Sequence, residues 1–149
     1  MGWNARPLTT TSEEALVNDN TRILHETLGK ADVWHLATSG PGQRPHVSSV
    51  WVDVRGQHIL VNSALGRIKA RNITHNPLVA LSWCDAGNPD HSLAVQGRVV
   101  ETIAGEQAES DCDLLARKYL GQDRYPWRAE GERRVTYLIE PTRIHHVGE

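Results

Sequence analysis

A chain of 149 residues, 39% of them apolar and with a formal net charge of −2, is sized for one domain with its own core. No run approaches the ~18 apolar residues of a membrane span, no secretory leader pattern opens the chain, and no broad basic face favours nucleic acid. Cys84 and Cys112 fit neither a CxxC metal site nor a redox motif, so a soluble cytoplasmic protein with packing thiols is expected.

The first dozen residues, with Pro7 and the Thr/Ser run from Thr9 to Ser12, read as a loose arm. Thr11 or Ser12 caps a helix over 13–28, with Glu13 and Glu14 in its first turn and Leu16, Ile23, Leu24 and Leu28 as its stripe; Gly29 stops it. The period then changes to that of strands. These are expected over 33–38, 45–54 and 57–62, joined by turns at 39–44 and 55–56, as an antiparallel meander. A basic segment over 63–75 opens a short helix and closes at Asn76-Pro77. Strands follow over 78–84 and 92–101, with Gly97 as a bulge. A helix over 104–120 buries Leu114, Leu115 and Tyr119, with Cys112 or Ala108, and ends at Gly121. After a polar loop over 122–132, a sixth strand over 133–140 breaks at Pro141, and 143–147 adds a short last pairing. Strands that follow one another without crossover helices point to an α+β or all-β barrel rather than a doubly wound sheet.

Charge is unevenly spread. Residues 55–76 hold four cations (Arg55, Arg67, Lys69, Arg71) and no acid, whereas 101–113 hold five acids and no Lys or Arg. The stretch Asn62-Ser63-Ala64-Leu65-Gly66-Arg67-Ile68-Lys69-Ala70-Arg71-Asn72 combines three cations, a glycine and short hydrogen-bonding side chains at a strand end. Arginine forks, a lysine point charge and helix-start N–H groups suit a phosphate or other small polyanion; the alternative is a solvated basic turn. Other chemistry finds no support. Asp53 and Glu101 lack carboxylate partners, and Ser48-Ser49 lacks a nucleophile-elbow context. No HExxH or similar spacing occurs, and adjacent His145 and His146 face opposite sides of a strand, so no metal is expected. Trp34, Trp51 and Trp83 are core candidates, while Trp127 on a loop suits a lid, a substrate wall or a dimer contact.

The order of motifs resembles the pyridoxamine-phosphate-oxidase-like, FMN-binding split β-barrels, and within them the branch that uses the deazaflavin coenzyme F420. The matching pieces are 37–38, 44–51, 61–63, 66–72, 76–81, 97–99 and Tyr125-Pro126-Trp127-Arg128. The resemblance implies a mainly β (α+β), six-stranded antiparallel split barrel with flanking helices, one domain over 1–149, and a homodimer with cofactor sites at its interface. It implies that Ser63, Arg67 and Lys69 hold the cofactor phosphate, with Asn62 at the strand end and Asn72 in support. His46, Ser48, Ser49, Val50 and Trp51 would run along the tricyclic ring, and Tyr125, Trp127 and Arg128 would close the partner's site. Arg55 or Arg71 would attract the carboxylate tail of a deazaflavin. The implied activity is hydride transfer between coenzyme F420 and a small conjugated or electron-poor acceptor such as a quinone, enone, biliverdin-like tetrapyrrole or nitro compound. One alternative is an FMN-dependent oxidase or reductase on the same barrel. The other is a non-catalytic carrier of F420 or of haem, the latter held by His145 or His146.

Overall fold

The computed structural model describes residues 8–148 and, within them, the side chains of 15 and 17–148. The elements are α1 (Leu8–Leu28), β1 (Trp34–Ser39), β2 (Pro45–Val50), β3 (Val52–Arg55), β4 (His58–Ala64), α2 (Ile68–His75), β5 (Leu78–Asp85), β6 (Asn88–Ala104), α3 (Glu106–Leu120) and β7 (Arg134–Val147). One antiparallel sheet has the order β2-β1-β5-β6-β7-β4-β3. Seven strands thus replace the six expected. α1 is already helical at Leu8, so Thr11 and Ser12 lie inside it rather than at its cap. The rest of the expected arm, residues 1–7, and the side chain of Leu16 lie outside the described residues.

The run 45–54 divides at Trp51, and its halves pair differently: Val50 sits opposite Trp34 of β1, and Val52 opposite Val61 of β4. The cause is tertiary. Tyr119 at the end of α3 accepts the Val52 N–H at 3.1 Å and donates to the Asp32 carbonyl at 2.6 Å. Lys118 donates to the Val52 carbonyl at 2.6 Å and to the Leu28 carbonyl. These bonds take both backbone groups of Val52 and fix a corner that no alternation of side chains announces. β2 and β3 are the outermost strands of the sheet order, so the chain passes from one edge of the sheet to the other at this single corner.

β7 runs straight through Pro141, contrary to the expected break. Pro141 lies opposite Gly97, where the β6–β7 register shifts, and a bulge tolerates a residue with no N–H. Gly97 is required there: a Cβ would sit 2.6 Å from Ile139 Cγ2 and 3.0 Å from the Glu140 carbonyl oxygen.

Two buried clusters hold the layers together. The larger packs Leu24 and Leu28 of α1 on Trp34, Leu36, Val61, Trp83 and Ile139 of the sheet. The smaller, beneath α3, joins Leu60, Leu115 and Leu138, flanked by Trp51 and Tyr119. The buried face of α3 is Ala108, Asp111, Cys112, Leu115 and Ala116, so Ala108, Cys112 and Leu115 lie inward as expected, Tyr119 packs against the smaller cluster, and Leu114 is exposed instead. Asp111 also lies inward, where it has partners. Arg55 grips it bidentately at 2.5 and 3.1 Å, Thr136 donates at 2.7 Å and Gln107 at 2.9 Å. Burial alone would raise the Asp111 pKa, but these hydrogen bonds hold it below the ordinary carboxylate value. Arg55 is therefore engaged inside its own chain rather than available for a ligand's tail.

Candidate functional site

β4 delivers the basic segment to the end of the sheet. Beyond Ala64, Leu65 N–H bonds the Arg133 carbonyl at 2.9 Å and Arg67 N–H bonds the Ala64 carbonyl at 3.2 Å. This stitch sets the start of α2 beside the start of β7. Arg67 and Lys69 thereby share one cleft with Arg134, which the sequence reading missed.

The cleft encloses about 160 Å³. Its cations are Arg67, Lys69 and Arg134; Ser49, Val50 and Trp51 line it from the β2–β3 corner, and Tyr125 and Trp127 from the 121–133 segment. Cys112 and Leu115 of α3 and Asn62 of β4 complete the lining. Burial, then the charges of Arg67 and Arg134, lowers the Lys69 pKa. Burial pushes the Cys112 thiol up, which disfavours a thiolate.

Arg134 is almost fully buried, and its place is set by a polar chain through the protein. Its Nε donates to Asn62 Oδ1 at 2.9 Å, and its guanidinium lies 5.1 Å from the Tyr125 ring centre. Asn62 in turn donates to the Ala108 carbonyl at 2.9 Å and to Thr136 Oγ1 at 3.1 Å, and Thr136 donates to Asp111. Asn62 thus has its oxygen and both N–H groups engaged internally and positions Arg134. The Arg134 Nη1 atom is buried with no hydrogen-bond partner. Glu132 Oε1 lies 3.4 Å from this Nη1 as an ion pair and 3.3 Å from Arg67.

An aromatic series adjoins the cleft. Tyr119 stacks on Trp51 (5.1 Å, 10°), Tyr125 meets Trp51 edge-on (6.0 Å, 85°), and Trp127 meets Tyr125 edge-on (5.8 Å, 81°). Trp127 is 63% exposed. Burial pushes the Tyr119 hydroxyl up to about 12, so it stays a neutral donor at the Trp51 corner.

The expected site residues therefore fall in several places. Ser49, Val50, Trp51, Asn62, Arg67, Lys69, Tyr125 and Trp127 converge on the cleft. Tyr125 and Trp127 line the cleft of their own chain. Arg128 is held away by Asp113 at 3.0 Å and Glu109 at 3.3 Å on α3. Ser63 is wholly buried, alternating with Asn62 to the opposite face of β4, and its Oγ has no partner. His46 and Asn72 line a second, larger hollow of about 850 Å³ beside α2, with Arg44 and Arg71. Asn72 there donates to Thr38 at 3.0 Å and pins α2 to β1, while His46 Nδ1 and Ser48 Oγ are buried without partners. Among the described residues no group of three His, Cys, Asp or Glu side chains is placed to hold a metal, and no helix is long and apolar enough to cross a membrane.

The residues missed, Arg134, Cys112 and Glu132, carry no local signal. Only the β4–β7 register, with Ala64 opposite Arg134, shows that the Arg133-Arg134 pair starts beside the basic turn.

The fold has counterparts of known structure. An F420 reductase is 28% identical, with 79% of this chain and 92% of that one covered at a TM-score of 0.69. A conserved hypothetical protein from Mycobacterium tuberculosis is 19% identical over 85% of this chain and 82% of its own, at a TM-score of 0.68. A pyridoxamine 5′-phosphate oxidase-related, FMN binding protein from Nostoc punctiforme is 16% identical over 97% and 85%, at a TM-score of 0.57. The last two, at that identity, share the fold alone. No curated protein matches the chain. Residues 22–148, which hold the whole sheet and every cleft residue, match the family model of pyridoxamine 5′-phosphate oxidase, and the chain belongs to that family.

Proposed function

We propose that the protein is an oxidoreductase that binds coenzyme F420 in this cleft and passes a hydride from it to a small conjugated or electron-poor acceptor. The observation that carries the reading is the gathering of Arg67, Lys69 and Arg134 with Trp51, Tyr125 and Trp127 around one cleft. The donor set fits a phosphate: two guanidinium forks and an ammonium converge there, and the buried Arg134 Nη1 makes no hydrogen bond and has only a 3.4 Å ion pair to Glu132. The aromatic side chains fit a planar ring.

When bound, the deazaflavin supplies the hydride. The chain's own residues bind, orient and exclude water. Arg67, Lys69 and Arg134 anchor the phosphate. Trp51 and Tyr125 limit water beside the ring. β2 is an outermost strand, so one of its edges keeps unpaired backbone groups for ring heteroatoms. Arg44 and Arg71 face the larger hollow and form no ion pair with any described residue, which suits a carboxylate tail. The same cradle also suits FMN, the second reading, which the FMN binding neighbour favours.

The working form in this proposal is a split-barrel homodimer. An apolar depression of about 300 Å³ across β1, β5 and β6, beside exposed Val47, supports a face covered by a second copy. Light scattering at micromolar concentration tests it, and a monomer mass removes the dimer.

The cleft is tested by fluorescence titration of F420 and FMN into the protein and into its Arg67→Ala/Lys69→Ala variant. Charge-assisted bonds worth about 1.5–3 kcal/mol each predict a loss of at least tenfold in affinity. Unchanged affinity moves the site elsewhere. If F420 binds yet its reduced form stays reduced against a broad acceptor panel, the protein is a carrier.

A further inference from the structure

The charge of the cradle is trimmed by one acid. Glu132 sits on the segment that leads into β7, its side chain only 10% exposed, with Oε1 within 3.4 Å of both Arg67 and Arg134. Its Oε2 is buried with no hydrogen-bond partner. Lys69 has no such acid: it forms no ion pair with any described residue. Glu109, the next carboxylate, is turned to the Arg134 backbone N–H at 3.0 Å and to Arg128. The wall that meets a ligand is thus three cations with one fixed carboxylate against two of them.

Resting on the reading of this cleft as a phosphate site, we propose that Glu132 is a selectivity residue that biases the cradle toward a monoanionic phosphodiester and against a dianionic phosphomonoester. The two cofactors in contention differ in this respect. FMN ends in a monoester, and phosphomonoesters carry a charge of about −1.5 to −2 at pH 7 because their second pKa is near 6. The F420 phosphate is esterified on both sides and carries one negative charge. Coulomb energy is linear in ligand charge. Repulsion from a fixed carboxylate therefore acts nearly twice as strongly on the monoester. In fold-change terms, removing that carboxylate tightens the monoester by about the square of the factor gained by the diester. A phosphate bonded to Arg67 and Arg134 lies within roughly two hydrogen-bond lengths of Oε1, about 6 Å, a range at which this repulsion is felt.

The test uses three ligands: FMN, its methyl phosphodiester (the same ring with one charge fewer) and F420. Each is titrated by fluorescence into the full-length protein and into Glu132→Gln and Glu130→Gln. Glu130 is an exposed acid on the same segment and controls for bulk charge. In Glu132→Gln the methyl diester and F420 are expected to bind roughly threefold tighter and FMN roughly tenfold tighter, so the FMN-to-diester affinity ratio rises about threefold or more. Glu130→Gln leaves that ratio in place. General damage from the substitution moves both flavin esters together and leaves their ratio alone, so the ratio reads charge and not folding. An unmoved ratio with binding intact overturns the role of Glu132 and spares the cleft; so does an equal shift in Glu130→Gln. No binding of any of the three ligands by the unaltered protein overturns both.

Discussion

Replacement of Asp111 by alanine strikes the polar chain that sets Arg134. Asp111 is 1% exposed and accepts four hydrogen bonds, and its three donors fare differently without it. Gln107 is exposed and turns to water. Arg55, 34% exposed, also regains solvent, so the lost pair costs less than a fully buried one. Thr136 is wholly buried and its hydroxyl is left without an acceptor, at about 1–3 kcal/mol. With the lost charge-assisted bonds the sum is about 3–5 kcal/mol, the range for breaking a buried pair from one side. At roughly 2–4 °C per kcal/mol for a chain of this size, Tm falls by roughly 6–20 °C. Differential scanning calorimetry reads it. The freed Thr136 also loosens Asn62 and hence Arg134, so ligand affinity falls in molecules that remain folded. A Tm within about 3 °C of the unaltered protein refutes the account, because it would mean that Asp111 is either hydrated or already unpaired in solution.

Three further outcomes follow from the same structure. The folded-state pKa of Asp111 is depressed, so its contribution to stability is present above the ordinary carboxylate pKa near ~3.9 and is lost as pH falls through the lower folded value; Asp111→Asn should flatten that acid limb in urea unfolding measured from pH 5 downward. Gly97→Ala places a Cβ 2.6 Å from Ile139 Cγ2, and the overpacking should cost about 1–3 kcal/mol in urea unfolding with m unchanged. Trp127→Ala, at a 63% exposed site, should leave stability within about 0.5 kcal/mol, while F420 affinity drops about threefold to tenfold if the ring supplies an aromatic contact.

Local chemistry made much of this legible in the sequence. Turn residues bounded the strands, Gly97 marked its bulge, and the run Arg67-Ile68-Lys69 at a strand end marked the cations that share the cleft. What stayed hidden was decided by distant partners. The split at Trp51 depends on Lys118 and Tyr119, whose bonds to Val52 cross more than sixty residues. Asp111 went unread on the buried side of α3 because only Arg55 and Thr136, from other elements, make the inside tolerable for it. Pro141 looked like a break because the bulge opposite it belongs to another strand. Arg134 looked like one more polar residue at a strand start, and only its register beside Ala64 brings it to the cleft.

The uneven charge of the sequence acquires a physical meaning at this point. The acid run over 101–113 is not a separate surface: three of its members neutralise particular cations. Asp111 takes Arg55, while Glu109 and Asp113 take Arg128. Elsewhere, Asp53 lies 3.6 Å from Lys118. Once these pairs are made, the cleft keeps Arg67, Lys69 and Arg134 against Glu132, Arg44 and Arg71 line the larger hollow, and the other cations without an ion pair among the described residues, such as Arg98, Arg117 and Arg143, lie outside both. A chain with a net charge of −2 thereby builds a concentrated positive site without a basic surface. Nonspecific polyanions, which need a wide basic face, gain little from such an arrangement, whereas a compact phosphate in the cleft meets several cations at short range. Weak binding of duplex DNA at 0.15 M salt, alongside tight binding of a flavin phosphate, is the result this distribution requires; comparable affinity for both would show that the cations act as a surface and not as a site.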